Sequence, residues 1–142
     1  MSDRFFLDTN IFVYSFDAGS PQKAGVAREL IRRAIKTGKG VVSYQVVQEF
    51  FNVALRRFGR PMSLADAEQY LLITFRPLLA MHSSVSLYGE ALRLQSRHGI
   101  PWYDALILTS ALEGECGTLY SEDFQHGRSF GSLKVRNPFA EI

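Results

Sequence analysis

Short apolar runs alternate along the chain with longer stretches in which apolar residues recur every three to four positions, the pattern of strands interleaved with amphipathic helices. Phe5-Phe6-Leu7 predicts a buried strand; it stops abruptly on Asp8-Thr9-Asn10, and a helix is predicted from Ile11. Ser20-Pro21 has the form of an N-cap followed by proline at the first helical position. Ala27, Leu30, Ile31, Ala34 and Ile35 then follow at helical spacing until Gly38 ends the helix. Gly40-Val41-Val42-Ser43 predicts a second strand whose serine caps a helix from Tyr44 to about Phe58, with a core stripe of Val47, Phe50, Phe51, Ala54 and Phe58. On its other side Gln45, Glu49, Asn52 and Arg56 form a polar stripe flanked by Val46 and Val53, as a solvated face would.

Ser63-Leu64-Ala65-Asp66 reads as a capping box opening a helix to about Phe75, its inner face Leu64, Ala67, Leu71 and Phe75. Arg76-Pro77 breaks that helix before a third, buried strand at Leu78-Leu79-Ala80-Met81. Ser84 caps a helix to His98, Gly99 stops it, and Pro101 starts another that runs to about Glu113. Thr118-Leu119-Tyr120 predicts a strand that stops on Ser121-Glu122-Asp123, much as the first stopped on Asp8-Thr9-Asn10. Leu133 to Asn137 alternates and ends at Pro138, as a final edge strand would. The alternation predicts an α/β fold with a mostly parallel central sheet of about four to five strands flanked by helices.

Composition narrows the class. With 142 residues, 46% hydrophobic and 21% charged, the expectation is one domain over residues 1–142 with a sizeable core. No apolar run approaches the roughly 18 residues of a membrane span, and Asp3 and Arg4 fall where a signal peptide would begin its apolar region. The expectation is a cytoplasmic protein with no membrane partner. The single cysteine, Cys116, rules out an internal disulfide or a thiolate cage and argues against zinc. A net charge of +2 leaves the partner open.

Four acids acquire interest from their predicted places: Asp8 and Asp123 after strands, Asp104 in the first turn of a helix, and Glu49 on the helix that follows the second strand. In open parallel sheets, strand ends and helix starts meet on one edge, where ligands collect. Three of the four also have a structural use: Asp8 as a cap, Asp104 against the helix dipole, Glu49 on a solvated face. Carboxylates gathered together repel, and proton sharing or a divalent cation relieves this. An all-oxygen set points to a hard ion, Mg²⁺ or Mn²⁺, and so toward phosphate chemistry.

Four segments carry a resemblance: Phe6-Leu7-Asp8-Thr9-Asn10-Ile11, Ser43 to Phe50 around Glu49, Trp102-Tyr103-Asp104-Ala105-Leu106-Ile107, and Leu119-Tyr120-Ser121-Glu122-Asp123-Phe124. In this order they resemble the signatures of the PIN domain, and within it those of the VapC-type toxin ribonucleases of prokaryotic toxin-antitoxin pairs. The resemblance covers nearly the whole chain. It implies a PIN-like nuclease domain and a Mg²⁺- or Mn²⁺-dependent endoribonuclease. Asp8, Asp104 and Asp123 would be metal ligands, Glu49 would hold a second ion or position the attacking water, and Thr9, Asn10 and Ser121 would support them. It further implies a protein antitoxin that blocks the acidic pocket, and a homodimer. Two points depart from the pattern: Gln125-His126-Gly127 follows where a further acid is common, and Glu122 competes with Asp123 as the ligand. Arg56, Arg57 and Arg60 are candidate contacts to an RNA backbone, although cations also suit a helix C-terminus, and Trp102 is a candidate for stacking on a base. A non-catalytic PIN-like module that holds RNA or protein is the alternative. A phosphotransferase of the haloacid-dehalogenase type is disfavoured because Asn10 stands where its second aspartate belongs.

Overall fold

The computed structural model describes residues 2–142. In chain order the elements are β1 (Phe5–Leu7), α1 (Thr9–Tyr14), α2 (Pro21–Thr37), β2 (Gly40–Ser43), α3 (Tyr44–Ala54) and α4 (Leu64–Tyr70). A π-helical turn (Leu71–Phe75) extends α4, and then come β3 (Leu79–Met81), α5 (Val85–His98), α6 (Trp102–Glu113), β4 (Thr118–Tyr120), β5 (Ser129–Phe130) and β6 (Leu133–Arg136). The sheet runs β3-β2-β1-β4-β6-β5, with β5 alone antiparallel to its neighbour. β1 is buried along its whole length, as a parallel strand covered on both faces must be. From β1 the chain builds outward to β2 and β3, then returns to place β4 on the other flank. The crevice between the carboxyl ends of β1 and β4 is thus the switch point at which ligands collect in such sheets.

The core is aromatic on the α1–α3 side. Phe50 stacks on Tyr70 with ring centroids 5.0 Å apart and meets Phe75 at 5.3 Å, while Phe12 packs on Phe75 at 4.9 Å. Gly40 lets β2 press against α2, because a Cβ there would collide with Ala34. Cys116 is a buried free thiol, pushed up to about 11 by its loss of hydration. Among the described residues no helix is long and apolar enough to cross a membrane.

Several elements depart from their sequence-based outlines. The sheet has six strands, the additional one being β5, a two-residue strand joined to β6 by a tight hairpin in which Gly131 takes a φ of 61°. β6 is therefore an inner strand between β4 and β5 rather than the edge. β3 is itself the other edge and only half-buried. α3 stops at Ala54, four residues before Phe58, and its buried residues are Val46, Phe50 and Ala54, so the valine beside the polar stripe faces the core. Leu64, at the very start of α4, points to solvent, and in the wider π turn beyond α4 Leu71 is exposed while Thr74 and Phe75 are buried.

Candidate metal and phosphate site

Asp8 leaves the end of β1 buried, 4% exposed, and does two things there. Its Oδ1 accepts a hydrogen bond from the Thr9 backbone N–H at 2.7 Å, capping α1, and its Oδ2 accepts from Ser121 Oγ at 2.7 Å, across from the end of β4. The helix cap and the site candidate are one side chain. Ser121 is wholly buried, and its Oγ also accepts the Asp123 backbone N–H at 3.1 Å, so a single hydroxyl couples the first and last acids.

The other two acids arrive from helices. Thr9 Oγ1 donates to Glu49 Oε1 at 2.6 Å, tying α1 to α3. Gln45, one turn earlier on α3, donates to Glu49 Oε2 at 3.4 Å and to the Tyr103 carbonyl at 3.1 Å, tying α3 to the first turn of α6, where Asp104 sits. Nothing in the sequence pattern gave Gln45 this role, although its place four residues before Glu49 put the two on one face.

The electrostatics bind the set together. Burial raises the Asp8 carboxyl to about 7, with the negative charges of Asp123 and Glu49 adding to the rise and the Ser121 and Thr9 hydrogen bonds opposing it. Asp104 is raised by burial and then by Asp123 and Glu49. Asp123 is raised by burial, then by Glu122 and Glu49, with a hydrogen bond involving Asp8 acting against this. Asp8, Asp104 and Asp123 are thus each raised by burial and by neighbouring acids, and the hydrogen bonds that oppose the rise at Asp8 come from Ser121 and Thr9.

Glu122 turns the other way: Tyr14 OH donates to its Oε1 at 2.6 Å, and Lys23 Nζ lies 4.0 Å from its Oε2. The Tyr14 phenol is pushed up to about 12 by that bond. Asn10 is half-exposed on α1. Arg56, Arg57 and Arg60 are exposed beyond the end of α3, past the seven residues that separate Glu49 from Arg56. Arg57 and Arg60 border a depression of about 640 Å³ with Tyr14 and Asp17, and Arg60 also borders one of about 710 Å³ between Phe16, Phe58, Tyr70 and Ile73. Neither depression contains the four acids. Trp102 is half-buried at the start of α6, two residues before Asp104.

Among the described residues no three His, Cys, Asp or Glu side chains are gathered closely enough to hold a metal ion between them. The donor set nonetheless suits a hard divalent cation. Its atoms are all oxygen, the groups that relieve the crowded carboxyls are hydrogen bonds rather than cations, and Mg²⁺ commonly takes only one or two protein carboxylates while keeping several waters.

The raised carboxyl predicts a pH effect with a definite sign. Folded Asp8 keeps a proton that the unfolded chain releases near 3.8, so its contribution to stability is complete below that value and is lost as pH rises through about 7. In EDTA, thermal or urea unfolding should show stability falling by about 2–3 kcal/mol between pH 5 and pH 8. Asp3 and Glu29, held low mainly by Lys39 and Arg32, finish ionising below this window. Stability that rises from pH 5 to pH 8 would contradict the buried, repelled state of Asp8.

Solved structures with the same fold include VapC20 of Mycobacterium tuberculosis, described as a sarcin-ricin loop cleaving toxin, at 23% identity and a TM-score of 0.64 over 84% of this chain and 89% of that one. A toxin-antitoxin complex from Klebsiella pneumoniae matches at 17% identity and 0.65, over 97% and 98% of the two chains. FitAcB from Neisseria gonorrhoeae matches at 21% and 0.63, over 96% and 99%. No curated protein matches. The PIN domain family matches residues 5–128, from the first residue of β1 to the turn before β5, a span that includes every acid of the site. The chain belongs to the PIN domain family.

Proposed function

We propose that this chain is a single nuclease domain, residues 1–142, that hydrolyses RNA phosphodiester bonds with Mg²⁺ or Mn²⁺. The observation that carries the reading is the convergence of Asp8, Glu49, Asp104 and Asp123 at the carboxyl edge of the sheet, where Ser121, Thr9 and Gln45 tie their segments together. Asp8, Asp104 and Asp123 would supply the ion's ligands, directly or through its waters, and the ion when bound would polarise a phosphoryl oxygen and acidify a water. Glu49, clamped by Thr9 and Gln45, would position the attacking water or hold a second ion. Ser121 keeps the Asp8 carboxylate oriented, and Thr9 and Asn10 steady the opening of α1. Arg56, Arg57 and Arg60 track the RNA backbone leading to the acids, which makes binding fall with added salt.

In this reading the protein works in the cytoplasm as the toxin of a toxin-antitoxin pair, and a basic side chain of the antitoxin neutralises the acidic pocket. Exposed Val85 and Leu92 on α5 favour a second copy of the chain as a further partner.

The test is cleavage of unstructured RNA by the purified chain. Cutting is expected with Mg²⁺ or Mn²⁺ and is expected to cease in EDTA. Undiminished cutting in EDTA sinks the metal mechanism, and retention of RNA without cutting in any metal identifies a binding module instead.

A further inference from the structure

Beside the acids lies a second, more enclosed cavity of about 310 Å³, between the N-terminus of α3 and the first turn of α6. Ser43 lines it and is peculiar. It precedes α3 in the capping position, yet its hydroxyl caps nothing, and its Oγ is fully buried with no hydrogen-bond partner. A buried hydroxyl without a partner costs about 1–3 kcal/mol, so an orphan on a residue that borders a cavity marks a place where a partner from the cavity would be favoured once the lining gives way slightly. A single water would satisfy the hydroxyl but occupies only about 30 Å³, a tenth of the space; the volume lies at the lower bound of small-molecule sites.

The walls define the chemistry of the occupant. Trp102 and Tyr88, with ring centroids 6.3 Å apart and planes 37° from parallel, make a flared aromatic wall, and Tyr103 adds a third ring. Gln48 contributes an amide with both donors and an acceptor, and His82 a ring nitrogen. No Asp, Glu, Lys or Arg lines the cavity, so it is matched to a flat, uncharged, hydrogen-bonding ring rather than to a phosphate. Gln45 belongs to both places: it lines this cavity, and its side chain donates to Glu49.

From this juxtaposition we propose that the cavity receives one unpaired nucleobase of the RNA substrate, next to the phosphodiester held at the acids, with its hydrogen-bonding edge read by Ser43 and Gln48 and its face against Trp102. The proposal rests on the nuclease reading for its substrate, and it assigns Ser43, Gln48 and Trp102 to selectivity rather than to the chemical step. Stacking on aromatic side chains and hydrogen bonding of a splayed-out base is how single-stranded RNA is generally read. Such stacking is tolerant of sequence, whereas the two polar groups discriminate.

Two measurements test it independently of each other. Trp102 is the only tryptophan, so its fluorescence reports the cavity. In EDTA, at least one of the four nucleoside 5′-monophosphates should quench it saturably, and S43A and Q48A should each weaken that binding by about threefold to tenfold. Absence of saturable quenching, or equal affinity in both variants, overturns the pocket. The second measurement uses a cleavable RNA in which each nucleotide near the cut is made abasic in turn. Cleavage should drop at one position adjacent to the cut, and S43A should shrink the difference between the abasic and intact substrates. Equal cleavage of every abasic substrate overturns the pocket and leaves the nuclease intact, whereas nucleotide binding without cleavage in any metal leaves the pocket intact and removes the nuclease.

Discussion

Asp8→Asn is expected to lower RNA cleavage by about 10²–10⁴-fold, the range lost when one positioned catalytic group is removed. The change is nearly isosteric. Asn caps helices as well as Asp, so its side-chain oxygen can still accept the Thr9 N–H and hold the start of α1. What disappears is the charge, which burial and the neighbouring Asp123 and Glu49 already oppose, and the second acceptor: the amide NH₂ that replaces Oδ2 must donate to Ser121 Oγ where the carboxylate accepted from it. The same variant should therefore be more stable than the parent in EDTA at pH 8, and its stability should change less between pH 5 and pH 8. Loss of activity together with a gain in metal-free stability is a signature that misfolding does not produce. Asp104→Asn should abolish cleavage in the same way with a smaller gain, since Asp104 is less buried than Asp8. Wild-type cleavage by either variant would remove that residue from the mechanism.

Phe50→Ala is expected to cost about 3–5 kcal/mol, against a total of about 5–15 kcal/mol for a domain of this kind. Phe50 is fully buried and is the hub of the aromatic core, meeting Phe12, Phe16, Phe51, Phe58, Tyr70 and Phe75. Removing its ring leaves a cavity that those neighbours cannot all close, because most are pinned by one another. Leu55→Ala, a few residues on and largely exposed, should change stability by less than about 0.5 kcal/mol. Equilibrium urea unfolding of the two variants decides this, and a cost below 1 kcal/mol for Phe50→Ala would show that the cluster repacks.

The elements that position the acids were readable because each is announced by local chemistry. Phe5-Phe6-Leu7 is too short and too apolar to be anything but a buried strand, and Ser20-Pro21 and Gly38 bracket α2. The acids themselves could be placed on one edge once the strand-helix alternation was seen. What escaped depends on contacts between distant segments. Val46 looked like the border of a polar face, but the sheet and α1 press on that side of α3 as well. Leu64 and Leu71 fit a helical stripe, but Leu64 sits at the open first turn of α4 and Leu71 begins a π turn whose wider winding breaks the helical spacing. Glu122 and Asp123 were indistinguishable by spacing; Tyr14 and Lys23, more than ninety residues earlier, draw one of them aside. Ser43 was read as a cap, and its hydroxyl turned out to have no bond at all.

The hydrogen bond from Ser121 to Asp8 joins residues 113 positions apart. At a ribosomal rate of about 5–20 residues per second, roughly 6–23 seconds separate their emergence, and β4 must slot in beside β1 before the two can meet. A nascent chain that ends before β4 carries Asp8, Glu49 and Asp104 but lacks Ser121 and Asp123. The order of synthesis is thus a built-in delay: a partly made chain holds three of the four acids without the hydroxyl that joins the first to the last, and the centre closes only when β4 has been made and has docked.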